Sequence, residues 1–401
     1  MAPGWPIFGQ EERAALLAVL DSGHWAYEGG FERRFQERFA ALQGTKYACC
    51  VTNGTAALQL AYEALDLGPG DEVIIPGLTW QATAAAAADV NSVPVLVDIE
   101  PDTYCIDPAA IEAAITSRTR AVVAVHLYGS MADVPAIRAI AARHGLYVVE
   151  DCAHAHGARW GDCSAGSLGD LGCFSFQSSK ILTAGEGGCI TTNDEMLAAR
   201  VRSLRNCGRP PETPPRGWRP VHGGNHRITE WQAAILCAQL DRFGDQHDHR
   251  ERSRVLLDEA LRTLVGLQPM RRSAEVLHAP SYGYVFRYDQ TAFGLPTNVF
   301  RAALAAELSC NDNLAPYEPL NHSPFYQPLT KRRHQLSEEY CAALAPTRFH
   351  LPVAQAAWRH EAVVLPHPIL LHTDAARLVC EAIERIRANL REVKLWGATR
   401  S

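Results

Sequence analysis

A chain of 401 residues, 47% of them hydrophobic, is long enough for two or three domains and for a large buried core. Its formal charge of -6 comes from 38 basic and 44 acidic side chains with no long run of one sign, which argues against a nucleic-acid or anionic-membrane partner. No stretch approaches the roughly 20 apolar residues of a membrane span, and "MAPGWPIFGQEERAALLAVL" lacks the basic start and apolar core of a secretion signal, so a cytosolic location is expected.

From Tyr47 to Thr192, short apolar runs alternate with helical patterns at the spacing of successive βαβ units. "YACCVT", "DEVIIP", "VPVLVDI", "RAVVAVHLYG" and "LYVVEDCA" read as buried strands of a parallel sheet. The helices between them are "TAALQLAYEAL" after Gly54, "TWQATAAAAADV", "PAAIEAAI" opened by Asp107 and Pro108, and "DVPAIRAIAARHG" closed by Gly145. After the strands "GCFSF" and "GGCITT", a helix from Asp194 leads into a loop whose five prolines between Pro210 and Pro220 forbid regular structure. "ITEWQAAILCAQLDRF" is again helical, and the charged stretch "GDQHDHRERSR" behind it marks the expected boundary between a large domain, residues 1–250, and a small one, residues 251–401. In the latter, "YGYVFRYD" alternates Tyr282, Tyr284, Phe286 and Tyr288 as a one-sided strand, and two amphipathic helices make it an α+β unit.

The 12 cysteines lie scattered through apolar segments and read as buried free thiols. "DCAHAHG" (Cys152, His154, His156) and "QHDHRE" (His247, His249) lack the paired spacing of a structural zinc site, so no metal is expected.

Ligands of an open parallel sheet sit at the C-terminal ends of its strands. "VTNGTAAL" ends a strand and starts a helix at Asn53, Gly54 and Thr55, an anion site if it is more than a plain helix cap. "YVVEDCAHAHG" ends a strand on Glu150 and Asp151, and a carboxylate buried there requires a cation or a strong donor. "FSFQSSKILTAGEGG" carries Ser175 and then Lys180, the only lysine between Lys46 and Lys331, into a run of glycines that lets backbone approach closely. A desolvated lysine loses its proton readily and becomes a nucleophile. Each residue alone also has a bland reading, as a helix cap, a structural ion pair or a surface lysine. Together they are the three attachments that pyridoxal phosphate requires: N–H donors for its phosphate, a carboxylate for its ring nitrogen and an amine for its aldehyde.

At these residues the sequence resembles the DegT/DnrJ/EryC1/StrS family of pyridoxal-phosphate aminotransferases. The motifs "TNGTAAL", "DEVIIPGLTWQATAAA", "VVEDCAHAHGA", "FSFQSSKILTAGEGG" and "NHRITEWQAAI" stand in that family's order. The resemblance implies the aspartate-aminotransferase-like fold (fold type I), a large α/β domain with a mostly parallel sheet and a smaller C-terminal α+β domain. It further implies that Lys180 forms a Schiff base with the cofactor and that Asp151 pairs with the ring nitrogen. Gly54, Thr55 and Ser175 would hold the phosphate, Trp80 would stack on the ring and His154 would reach the phenolic oxygen. Asn225 would complete the phosphate site of a neighbouring subunit, making a homodimer with shared active sites the expected unit. Cys152 stands where the family usually has alanine.

"FQSSK", "AHAHGARW" and "LTAGEGG" are similar to the branch that holds glutamine-dependent scyllo-inosose and 2-deoxy-scyllo-inosose aminotransferases and 3-amino-5-hydroxybenzoate synthases. This implies L-glutamine, or L-glutamate, as donor and a keto-cyclitol as acceptor. The competing readings are a nucleotide-sugar (keto-sugar) aminotransferase, a lyase of the aminohydroxybenzoate type, and a non-catalytic cofactor- or metal-binding regulator. His322 and His367 lie in segments expected to approach the cofactor from the small domain.

Overall fold

The computed structural model describes residues 4–310 and 314–398. Helices α1 (Gln10–Ser22) and α2 (Gly30–Leu42) precede strand β1 (Tyr47–Val51). Helix α3 (Gly54–Ala64), β2 (Glu72–Pro76), α4 (Ala82–Asp89), β3 (Val93–Val97), α5 (Pro108–Ala114), β4 (Thr119–Val125), α6 (Val134–His144) and β5 (Tyr147–Asp151) follow in strict alternation. Each helix start that the sequence marks by a capping side chain is capped: Asn53 accepts from the Ala56 N–H, Asp107 from Ala109 and Asp133 from Ala136, while Gly145 closes α6 at φ 65°.

A short hairpin, β6 (Arg159–Trp160) and β7 (Cys163–Ser164), leads to β8 (Leu171–Ser175) and β9 (Gly188–Thr192). Among the described residues the main sheet has seven strands in the order β1-β9-β8-β5-β4-β2-β3. Helices cover both faces, which is why β2 and β8 are buried along their whole length. The sheet is mostly parallel, as expected, and one strand departs from that direction: β9 runs antiparallel to both β1 and β8. The segment joining β8 to β9, which carries Lys180, returns at the same end of the sheet without a crossover helix, so the next strand must reverse direction.

Helix α7 (Glu195–Arg205) and the proline-bearing loop precede α8 (Glu230–Leu261). A capping box of Thr229 and Gln232 starts α8, and the helix then runs without interruption through the charged stretch, so position 250 lies inside it. Gly244 costs only about 1 kcal/mol relative to alanine in a helix. Arg254, paired with Glu251 and Asp258 at 2.8 Å each, supports the turns beyond it.

The C-terminal part builds a second sheet of β10 (Leu267–Pro269), β12 (Gly283–Tyr288) and β13 (Ala362–Pro366), while β11 (Val276–His278), preceding β12, pairs with the β6–β7 hairpin. Tyr284, Phe286 and Tyr288 enter a core with Phe293, Phe300 and Ile383. The expected one-sided strand has a second buried face, because Val285 packs into the core of the main sheet. Tyr282 precedes the strand and lines a cleft described below.

Close packing beneath β8 is testable. A Cβ at Gly172 would lie 2.3 Å from the Gly166 Cα, whereas nothing lies within 4 Å of one at Gly68. Gly172→Ala should destabilise by roughly 1–3 kcal/mol and Gly68→Ala by no more than about 0.5 kcal/mol. Equal denaturant midpoints for the two variants would show that the residues preceding β8 yield freely.

Candidate active site

The parallel strands deliver their C-terminal ends to one side of the sheet. There they border a cleft of about 830 Å³ that is lined by seven of the eight residues expected at the site: Gly54, Thr55, Trp80, Asp151, His154, Ser175 and Lys180. The eighth, Asn225, is exposed, bridges to Asn206 and does not line this cleft, although its neighbour His226 does.

At the end of β1 the chain turns directly into α3. Asn53 spends its side chain on the Ala56 N–H, leaving the first-turn N–H groups of Gly54 and Thr55 at the cleft. Ser175, the last residue of β8, packs so tightly here that a Cβ on Gly54 would fall 2.7 Å from the Ser175 Cβ. Glycine therefore allows the helix terminus and the serine hydroxyl to face the same point. His156 supports the end of β8 from below, donating its Nε2–H to the Ser175 carbonyl at 2.9 Å.

Glu150 and Asp151 are consecutive in β5 and so point to opposite faces. Glu150 accepts from the N–H groups of Gly166, Leu168 and Gly169 at 2.6–3.0 Å and meets His126 Nε2 at 3.0 Å. His126 Nδ1 accepts from the Ala132 N–H, so Nε2 carries the proton that Glu150 receives. The ligand atoms of His126, Glu150 and Cys152 lie within 4.8 Å of one another. Glu150 already accepts from three backbone N–H groups and from His126, and burial pushes the Cys152 thiol up. Asp151 faces the cleft and accepts from Thr83 Oγ1 at 2.8 Å and from the Ala153 N–H at 3.2 Å. Burial pushes its carboxyl above the ordinary value, an effect that these donors and the charge of Lys180 oppose. A cation presented in the cleft would relieve that desolvation.

The loop carrying Lys180 is held by the strand before it. Phe174 and Phe176 meet Phe39 edge-on at 4.9 and 5.4 Å in a closed aromatic cluster. Lys180 itself is buried, and its Nζ lies 4.2 Å from the centre of the Tyr282 ring. Burial brings the amine down to about 8, with the Asp151 charge pulling the other way. About half of the side chains are thus free amine at a pH of about 8, where an exposed lysine is almost wholly protonated.

His154 is buried and stacked on Tyr282 at 3.8 Å. Its Nδ1 accepts from the Tyr128 N–H at 3.2 Å, and burial keeps the ring neutral, so Nε2 carries the hydrogen, with the Tyr317 hydroxyl 3.3 Å away. Trp80 is 46% exposed at the cleft edge, beside Tyr317 and Phe325. Thr83, Tyr282 and Tyr317 are site residues that the sequence motifs did not single out. Thr83 stands within "TWQATAAA" but touches Asp151 only because α4 follows β2 into the cleft, and the two tyrosines arrive from the C-terminal part. His367 comes close to the lysine loop, whereas His322 is exposed and faces Gln355.

A family model, the DegT/DnrJ/EryC1/StrS aminotransferase family, matches residues 6–384. The chain belongs to this family. It is 44% identical over 395 residues to the L-glutamine:2-deoxy-scyllo-inosose aminotransferase of Streptoalloteichus tenebrarius, covering 93% of each chain. Identity to the L-glutamine:scyllo-inosose aminotransferase of Streptomyces griseus is 40% over 408 residues, 98% of this chain and 95% of the other. Among solved structures, 3-amino-5-hydroxybenzoic acid synthase superposes with a TM-score of 0.81 at 32% identity, over 96% of this chain and 99% of that one.

The protein is therefore an aminotransferase, and its cofactor is pyridoxal phosphate. The site fits that group: an anion cradle, a desolvated carboxyl, an N–H donor and a nucleophilic amine border one cleft. Capture of pyridoxal phosphate by cofactor-free protein should rise with pH to a midpoint at about 8 and level off above it. The sign follows from the free amine being the nucleophile and from burial having lowered its proton affinity. A midpoint near the ordinary lysine value of about 10.4, read from covalent attachment after borohydride reduction, would contradict the burial argument.

Proposed function

We propose that this aminotransferase moves the amino group of L-glutamine onto a keto-cyclitol such as scyllo-inosose or 2-deoxy-scyllo-inosose, as a step toward an aminocyclitol antibiotic. Relatives that carry those names are 40–44% identical across at least nine-tenths of the chain. The observation that carries the acceptor class is the wall of the cleft. Among the described residues lining it, Lys180 is the only lysine or arginine; Asp151 and Glu186 are carboxylates, and the remainder are histidine, cysteine, aromatic, hydroxyl, amide, aliphatic and small side chains. Such a wall suits an uncharged polyol ring, whereas a nucleotide diphosphate calls for additional cations. L-Glutamate is the alternative donor.

Pyridoxal phosphate, when bound, supplies an electron sink and a carrier for the amino group. Gly54, Thr55 and Ser175 would hold its phosphate, Asp151 its ring nitrogen, His154 its phenolic oxygen and Lys180 its aldehyde carbon, with Trp80 against the ring. Asp151, fixed by Thr83 and the Ala153 N–H, would favour the protonated form of the ring nitrogen. The Lys180 amine would accept the proton leaving the donor's Cα and hold it on Nζ for return in the same half-reaction. Its lowered proton affinity leaves more of it as free amine than an exposed lysine would have at the same pH. Because the two substrates use one site in turn, the kinetics are ping-pong.

The working unit in this reading is a cytosolic homodimer in which Asn225 of each subunit completes the phosphate site of the other. Two facts support it: Asn225 lies outside its own cleft, and it sits at the end of the exposed proline-bearing loop. Among the described residues no helix is long and apolar enough to cross a membrane.

Incubation with L-glutamine and either inosose should yield the aminated cyclitol by mass spectrometry, and Lys180→Ala should yield none. Turnover of nucleotide keto-sugars in place of cyclitols would overturn the acceptor. Loss of water with an aromatic product would instead mark a lyase. For site sharing, a hybrid dimer of Asn225→Ala and Lys180→Ala subunits should keep one intact site and about half the wild-type rate. Wholly inactive hybrids would refute the exchange.

A further inference from the structure

Arg250 lies midway along α8 with no exposed surface, and among the described residues no carboxylate pairs with it. Its Nε and one terminal nitrogen are buried without a partner. An unpaired guanidinium is expensive to bury, and desolvation lowers its proton affinity to about 9. Fold stability alone gives no reason to keep it. Its two contacts indicate what it does.

The other terminal nitrogen, Nη2, lies 3.3 Å from His367 Nδ1. A guanidinium only donates, so Nδ1 accepts and the ring hydrogen of a neutral His367 sits on Nε2. That Nε2–H points to the Ser179 carbonyl at 2.9 Å. The guanidinium carbon also lies 5.1 Å from the centre of the Trp5 ring, whose indole N–H donates to the Ser178 carbonyl at 3.0 Å. Trp5 and His367 meet edge-on at 4.6 Å. Two consecutive carbonyls, those immediately before Lys180, are thus held by two aromatic side chains resting on one arginine. The Lys180 N–H is held in turn by the Gln177 carbonyl at 2.8 Å.

We infer that Arg250 is a positioning residue: through Trp5 and His367 it clamps the Ser178–Ser179 backbone and so fixes where the Lys180 amine stands in the cleft. The clamp gathers the N-terminal segment, α8 and the residue following β13 onto one loop, none of which the main sheet would otherwise bring to the lysine. The inference rests on Lys180 being the residue that attaches the cofactor.

The test compares wild type with Arg250→Met, His367→Phe and the double variant, all as full chains. Three quantities are read: thermal midpoint, rate of covalent capture of pyridoxal phosphate at Lys180 in cofactor-free protein (peptide mass after borohydride reduction), and labelling of cofactor-free Lys180 by trinitrobenzenesulfonate. Methionine removes an unpaired buried charge at similar volume, so the midpoint should hold or rise. Capture should slow about tenfold, because a small misplacement of a reacting group is costly, and labelling should change with it. The double variant should be no slower than the slower single, since both act through one chain of contacts. Arg250→Lys, which retains a donor, should recover most of the rate, and with His367→Phe it carries the comparison if Arg250→Met does not fold. Wild-type capture and labelling in Arg250→Met, slowing that merely tracks a fall in midpoint, or multiplicative single effects would each overturn the clamp. A wild-type protein that captures nothing at Lys180 would instead overturn the attachment role on which the clamp depends.

Discussion

An amine and a carboxyl share one desolvated cleft, and the rest of the molecule is arranged to keep them there. Water would hold Lys180 protonated and Asp151 ionised, each indifferent to a ligand. Burial brings the amine down to about 8 and pushes the carboxyl up, while their mutual attraction moderates both shifts. The cleft therefore disfavours the charged form of both groups, and it gains most when a ligand offers an aldehyde to one and a protonated nitrogen to the other.

Rigidity at this site comes from groups that never face the cleft. Glu150, back to back with Asp151, ties three backbone N–H groups and His126 into the turn before β8. Phe174 and Phe176 lock the strand that launches the lysine loop. His156 holds the Ser175 carbonyl. These are strong local constraints on rigid elements, the condition for holding reacting groups within a fraction of an ångström.

The C-terminal part closes what the main sheet opens. Tyr282 and Tyr317 wall the cleft against Lys180 and His154, and His367 reaches the carbonyl preceding the lysine. Both tyrosines lie near the strands of the smaller sheet, so the position of that part decides the shape of the acceptor side. One fold can host different reactions, and the place where this second layer meets the first is where such differences can be built.

The local signals in the sequence were enough for the helix caps, the buried strands and the residues at the strand ends. A cap depends on a neighbour three residues away, a buried strand on its own composition, and a strand end on where an apolar run stops. Gly54, Asp151, Ser175 and Lys180 were legible for that reason. The reversal of β9 was not, because strand direction depends on how the lysine loop returns. The continuity of α8 was obscured by its charges, which are satisfied by helical neighbours and by the packing of the C-terminal part around Arg254. Thr83, Tyr282, Tyr317, Arg250 and His367 acquire their roles from segments far apart in the chain. The sequence by itself determined which groups stand at the strand ends that border the cleft, since their chemistry is local. Only the tertiary structure decided what walls the cleft and steadies the lysine, because those contacts exist only once distant segments have packed together.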